Sequence, residues 1–244
     1  MSAIKTNKLR KEYKEVVAVQ GVDLEIEEGE LFALLGVNGA GKTTLIKMLT
    51  CLTAPTSGDA CVSGHSIVKE AAEVKKNIDV SMQETAIARK LTVEENIHFY
   101  AELNGQSKEE IEQTKAMLYE AFGLDSVRGR QAAKLSGGWQ RKLSIALALV
   151  SSPKILFLDE PTLGLDVIAR RELWKTIRSF RGKMTVVLTT HYMEEAEALA
   201  DRIGIMKEGK LLFVGTKEAL YQETGKANVE EAFISIVGGG ELDA

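Results

Sequence analysis

The spacing of apolar and polar residues changes several times along the chain, and each change marks an element. Between residues 3 and 35 the β-rich patches Val16–Val19 and Val22–Ile26 lead to the turn Glu28-Gly29-Glu30, which predicts antiparallel strands. The apolar run Leu31–Leu35 predicts a buried strand, and a helix is expected from Gly41 to about Thr50. Pro55-Thr56-Ser57-Gly58-Asp59 predicts a turn before a strand near Ala60–Val62. Residues 69–77 read as a short charged helix, and Ile78–Met82 as a strand ending at Gln83.

Residues 85–150 then take on helical spacing. Thr92 with Glu95, and Ser107 with Glu110, are capping-box pairs, so helices are expected to begin at Val93 and Lys108. The first carries Val93, Ile97, Tyr100 and Leu103 on one face, and the second Ile111, Leu118, Ala121 and Phe122. Leu135-Ser136-Gly137-Gly138 directly precedes a third helical stretch, Trp139–Val150. Beyond Pro153 the run Ile155–Leu158 suits a parallel strand covered on both faces. Gly164-Leu165-Asp166 precedes a helix to about Phe180, and an apolar strand Met184–Thr189 follows. Strands Ile203–Met206 and Leu211–Val214 flank the turn Glu208-Gly209-Lys210, helices are expected at Thr216–Thr224 and Val229–Val237, and Gly238–Ala244 reads as a frayed tail.

At 244 residues, with 45% hydrophobic and 27% charged residues, the chain can bury a substantial core. A formal net charge of −4 and a pI near 5.6 give no basic footprint, so nucleic acid is not expected as a partner. The longest apolar runs fall far short of the roughly 20 residues that cross a bilayer. No apolar signal region follows Lys5, Lys8, Arg10 and Lys11, so a cytoplasmic location is expected. Cys51 and Cys61 are the only cysteines and form no Cys-x-x-Cys pair, which indicates neither a disulfide framework nor a zinc site. His65 and His98 are assigned no role.

The sharpest chemistry lies just after Leu31–Leu35. Gly36, four free positions, then Gly41, Lys42 and Thr43 form a phosphate-binding loop between a strand and a helix start. Across Gly36, Asn38, Gly39, Ala40 and Gly41 successive N–H groups can turn inward on phosphate oxygens, with the positive end of the helix behind them. Lys42 can reach the terminal phosphates, the Thr43 hydroxyl can ligate Mg²⁺, and Thr44 can bond the inner phosphate. A glycine turn alone would explain neither Lys42 nor the paired threonines. Ile155–Leu158 ends in adjacent carboxylates, and ligands of open α/β sheets collect at such strand ends. Asp159 can therefore hold Mg²⁺ beside Thr43, and Glu160 can orient or deprotonate the attacking water. His191, just past another strand end, is placed to contact the terminal phosphate. The two glycines of Leu135–Gly138 open a helix start, which reads either as a second anion site or as a serine-capped loop.

In this order the phosphate loop, Gln83, Leu135–Gly138, the Asp159-Glu160 strand, Gly164–Asp166 and His191 resemble the ATPase subunit of ATP-binding cassette (ABC) transporters, over about Ile4 to Thr224. The resemblance implies an α/β fold: a phosphate-loop NTPase core with an N-terminal antiparallel β lobe and an inserted helical lobe. The β lobe and core would occupy about 1–84 and 151–224, the helical lobe about 85–150, and a C-terminal helix and tail 225–244. It further implies ATP and Mg²⁺ as cofactors, Tyr13 stacked on adenine, and Gln83 sensing the metal and attacking water. Ser136, Gly137 and Gly138 would close on the γ-phosphate of ATP held by a second subunit, with Asp166 at the seam. A separately encoded membrane permease would hold the protein at the cytoplasmic face. In a non-transport relative acting on DNA or ribosomes, long insertions or two cassettes would be expected instead. Two positions depart from the family pattern: Trp139 stands where Gln is common, and Val167 where Pro is common. Pro161–Asp166 and Thr190–Ala196 resemble most the branch that exports drugs, antibiotics, sodium or lipids. Ala86-Ile87-Ala88, with Leu91, either forms a docking groove for the permease or packs under Tyr100.

Overall fold

The computed structural model describes residues 1–238; the expected tail therefore lies outside the described residues except for Gly238. The N-terminal part forms an antiparallel sheet of β1 (Ser2–Tyr13), β2 (Val16–Val22), β3 (Glu25–Glu27), β5 (Ser57–Val62) and β6 (His65–Ser66), in the order β2-β1-β5-β6 with β3 also on β1. The patch Val22–Ile26 is split, because Asp23 and Leu24 leave the ladder. The Asp23 carboxylate accepts the Lys8 N–H at 2.7 Å, and the Leu24 N–H donates to the buried Thr6 hydroxyl at 2.7 Å. The expected turn at 55–59 is shorter than its composition indicates, since Ser57 and Asp59 pair with Arg10 and Asn7 inside β5.

A second sheet, ordered β11-β10-β4-β9-β8-β7, carries the core. It contains β4 (Leu31–Leu35), β7 (Ile78–Ser81), β8 (Ile155–Asp159), β9 (Thr185–Thr190), β10 (Arg202–Lys207) and β11 (Lys210–Gly215). All neighbouring strands run parallel except β11, which pairs antiparallel with β10. Strand alternation divides the interior in two. Leu31, Ala33 and Leu35 face a core shared with the helical segment, whereas Phe32 and Leu34 face one shared with the antiparallel sheet and helix α1 (Lys42–Leu49).

The remaining helices are α2 (Ala71–Asn77), α3 (Val93–Leu103), α4 (Lys108–Phe122), α5 (Gly137–Ala148), α6 (Val167–Arg178), α7 (Met193–Leu199), α8 (Lys217–Thr224) and α9 (Val229–Gly238). Both capping boxes form, and hydrogen bonds from the N-cap residues hold the exposed Glu95 and Glu110 carboxyls below their ordinary range. Helix α5 starts two residues earlier than its apolar pattern indicates, with both signature glycines in its first turn. The seven-residue α7 has too few apolar positions to announce itself in the sequence. Among the described residues no helix is long and apolar enough to cross a membrane.

Candidate active site

Strand order brings the chemistry together. The phosphate-loop strand β4 and the Asp159-Glu160 strand β8 are not neighbours; β9 lies between them, with Leu35 opposite Thr190 and Asp159 opposite Thr189. The carboxyl ends of three parallel strands thus present residues 36–44, 159–160 and 189–191 along one edge.

The loop is closely packed behind. A Cβ on Gly36 would meet the Met206 carbonyl oxygen at 2.4 Å, and one on Gly41 would meet the Ala18 oxygen at 2.3 Å, where φ is also +105°. Larger residues at either position would push the loop off the sheet. Gly41 caps α1 without a side-chain hydrogen bond, and no acidic residue occupies the first turn, so the leading N–H groups keep their anion-seeking character. Lys42 is buried; its ammonium donates to the carbonyls of Gly36 at 2.6 Å and Val37 at 3.2 Å, and lies 3.4 Å from Glu160 Oε1.

Thr43 Oγ1 is 3.1 Å from both carboxylate oxygens of Asp159. Thr189 links the two acids: its hydroxyl donates to Asp159 Oδ1 at 2.6 Å and accepts the Glu160 N–H at 3.0 Å. Glu160 adopts the left-handed backbone conformation, φ +51°, uncommon for a residue with a Cβ. His191 Nδ1 is 2.6 Å from Glu160 Oε2, and the imidazole packs against the Tyr192 ring, centroids 4.1 Å apart. Behind this cluster the Arg141 guanidinium is buried, and burial pushes its pKa down to about 10 against the opposing pull of Asp159, Glu195 and Glu160.

These groups open into a cavity of about 620 Å³ bordered by Asn38–Thr44, Gln83, Glu160 and His191. A larger cleft, about 790 Å³, lies on the antiparallel sheet between Asn7 and Glu70, away from all of them. Tyr13 is not on the cavity wall; it pairs with Val16, which is, and its ring stays 44% exposed beneath Lys11. Ser136 and Gly137 are exposed and do not border the cavity of their own chain. The Gly138 backbone approaches Ala169, so that a Cβ there would lie 3.3 Å from the alanine methyl. Asp166 is exposed and caps α6, accepting from the N–H groups of Ile168 and Ala169 at 2.9 Å each. Trp139 packs half-buried against the core, with the Lys142 ammonium 4.6 Å from its ring. Ile87 also packs against that core, while Asn96 bonds to Ala88, Leu91 and Thr92 and holds the segment down. Ile87 is half-buried there, so one side of it packs on the core and the other stays accessible.

Thr189 and Arg141 contact Asp159 and the backbone around Glu160, and neither stands out in the sequence. The hydroxyl pair that ends Thr185–Thr190 after Val186–Leu188, and Arg141 two residues before Leu143, were the available signals.

Fold and site together define a phosphate-loop ATPase, with strand, glycine loop, helix and acidic strand end in the arrangement that binds a nucleoside triphosphate. The sequence model described as ABC transporter matches residues 19–163, and the chain belongs to that family. It is 43% identical to human phospholipid-transporting ATPase ABCA3 over 213 residues, 87% of this chain but 12% of that protein, so it spans about an eighth of that relative's length. It is 37% identical to the daunorubicin resistance ATP-binding protein DrrA3 of Streptomyces coeruleorubidus over 230 residues, 94% of this chain and 73% of the other. Among solved structures, an ATP-binding subunit of an ABC transporter superposes with a TM-score of 0.86 at 26% identity, covering 96% of this chain and 99% of that one. The ATP-binding cassette MJ0796, dimeric in a post-hydrolysis state with ADP and Pi, superposes with a TM-score of 0.79 at 25% identity over 87% of this chain and 98% of that one.

Proposed function

We propose that this chain binds ATP and Mg²⁺ at Gly36–Thr44, hydrolyses the γ-phosphate bond with Glu160 as general base, and couples that step to a separately encoded membrane permease. The observation that carries the reading is the convergence of Lys42, Thr43, Asp159, Glu160 and His191 beside an uncapped helix start. Thr43 and Asp159 offer hard oxygen donors. That donor type fits Mg²⁺, which takes few protein ligands and completes its shell with phosphate and water. When bound, the ion neutralises charge on the phosphate oxygens.

The chain's own residues divide the remaining work. The N–H groups of the loop and the Lys42 ammonium hold the triphosphate. Glu160 takes the proton of the attacking water as the new P–O bond forms and the bond to the β–γ bridging oxygen breaks, leaving ADP and phosphate. His191, bonded to Glu160, fixes the carboxylate's direction and adds a contact to the γ-phosphate. Gln83 senses the metal and water, and Tyr13 stacks on adenine at the end of the β1–β2 hairpin.

Ser136–Gly138 and Asp166 complete the site of a second copy. Their absence from their own chain's cavity wall supports this, as does the dimeric state of the MJ0796 cassette. Both nucleotides would then lie in one two-fold interface. The likeness to DrrA3 supports an exporting direction, with the subunit held at the cytoplasmic face by its permease. The test is phosphate release by the purified chain. Release that needs Mg²⁺ and stops on chelation is expected; a folded chain that neither binds ATP nor releases phosphate, alone or with its permease, would overturn the reading.

A further inference from the structure

Arg141 lies in α5, one turn beyond Gly137, and is 4% exposed. Every hydrogen bond its guanidinium makes goes to a main-chain carbonyl. Nε donates to Pro161 at 2.8 Å and Nη2 to Asp159 at 2.8 Å, so the fork grips the backbone on both sides of Glu160. Nη1 donates to Met82 at 2.6 Å and Gln83 at 3.2 Å, where the chain leaves β7. Among the described residues no carboxylate accepts from it, an unusual use of a buried cation, whose charge is normally matched by a direct partner.

The gripped backbone needs holding. Glu160 has φ +51° without being glycine, a conformation that persists only where its surroundings impose it. Thr189 restrains the residue from the β9 side through the Glu160 N–H. Arg141 restrains it from the helical side. A rigid planar fork suits these four separate carbonyls; a lysine ammonium, a single point on a flexible stem, cannot reproduce them.

We propose that Arg141 is a positioning residue for hydrolysis, holding the Glu160 backbone and the Gln83 carbonyl at fixed places relative to the helix that carries Ser136–Gly138. The inference rests on the hydrolytic reading of Glu160 given above. Through this one side chain, a shift of α5 reaches the general base and the glutamine together.

The test compares Arg141→Lys, Arg141→Ala and Glu160→Gln, each purified and melted alongside the wild type, with ATP affinity and single-turnover hydrolysis measured separately. Arg141→Lys is expected to melt near wild type and bind Mg-ATP within about twofold of it, while hydrolysis falls about tenfold to a hundredfold, the range that follows a small misplacement of catalytic groups. Millimolar guanidinium should restore part of the rate to Arg141→Ala, whereas methylammonium should not. Wild-type hydrolysis by Arg141→Lys alongside a slow Glu160→Gln would overturn the Arg141 assignment alone. Wild-type hydrolysis by Glu160→Gln would overturn the reading beneath it. If both Arg141 variants fail to fold, the side chain is scaffold and the positioning role is refuted.

Discussion

Thr189 joins Asp159 to Glu160 through one hydroxyl, which donates to the first acid's carboxylate and accepts from the second's backbone N–H. The strand order makes this possible, because β9 separates the phosphate-loop strand from the acidic strand. Thr189→Val keeps the side-chain shape and removes both bonds. A hydrogen bond to a charged group contributes about 1.5–3 kcal/mol, so the variant should lose stability on that scale. Its hydrolysis should also fall about tenfold or more as the carboxylates lose their mutual placement, and half-saturation should need more Mg²⁺. Unchanged Mg²⁺ dependence in a phosphate-release titration would show that Thr189 does not orient Asp159.

Lys42 and Glu160 lie 3.4 Å apart, yet their replacements should separate binding from turnover. Glu160→Gln keeps every group that touches phosphate and should still bind ATP, losing about 10²- to 10⁴-fold in rate, the usual worth of a placed general base. Lys42→Ala removes a charge-assisted phosphate contact and should weaken binding itself. Calorimetric titration of both variants checks the split, and equal ATP affinity for Lys42→Ala and the wild type would contradict it.

The phosphate loop, the paired acids and both capping boxes could be read from the sequence because each is specified within a few consecutive residues. The 12-residue β1 could not be delimited in this way: its polar positions obscure the alternation, and its pairing with β2, β3 and β5 sets its length. Thr189 and Arg141 were hidden for a related reason. Their partners lie 29–30 and 18–59 residues away, and only the strand order and the docking of α5 bring them within reach. The Ala86–Ala88 segment was hidden in the same way: Asn96, eight residues beyond Ala88, holds it down and leaves Ile87 half-buried against the core.

Ser136 and Gly137 are exposed at the start of α5, and their own chain's cavity lies elsewhere. If two copies must meet to complete each site, hydrolysis by the purified chain should rise faster than linearly with protein concentration. Ser136→Asp, which sets a negative charge against a bound phosphate, should lower the rate without altering the melting temperature. Constant specific activity on dilution into a range where sedimentation finds only monomers would sink the two-copy site.

Glu195 supplies a prediction about pH. It is fully buried in α7, where Oε1 accepts from the Trp174 indole at 2.9 Å and the Thr190 and Thr162 hydroxyls lie near the carboxyl. Burial raises its pKa, and the nearby Glu160 charge pushes the same way, against the lowering effect of Thr190, Trp174 and Thr162. Arg141 feels the Glu195 charge but donates only to backbone carbonyls, so it gives no direct ion pair. A carboxyl whose folded pKa lies above its unfolded value, 4.5, contributes stability that is fully present below that value and is lost as pH rises through the folded pKa. At neutral pH the wild type therefore carries a penalty that a neutral isostere avoids. Glu195→Gln should melt a few degrees above wild type at pH 7, on a scale of about 2–4 °C per kcal/mol for a chain of this size. At pH 4, where the wild-type carboxyl is protonated in the fold, the two melting curves should coincide. A variant that melts below wild type by the same margin at both pH values would show that the carboxylate is matched in the fold and carries no such penalty.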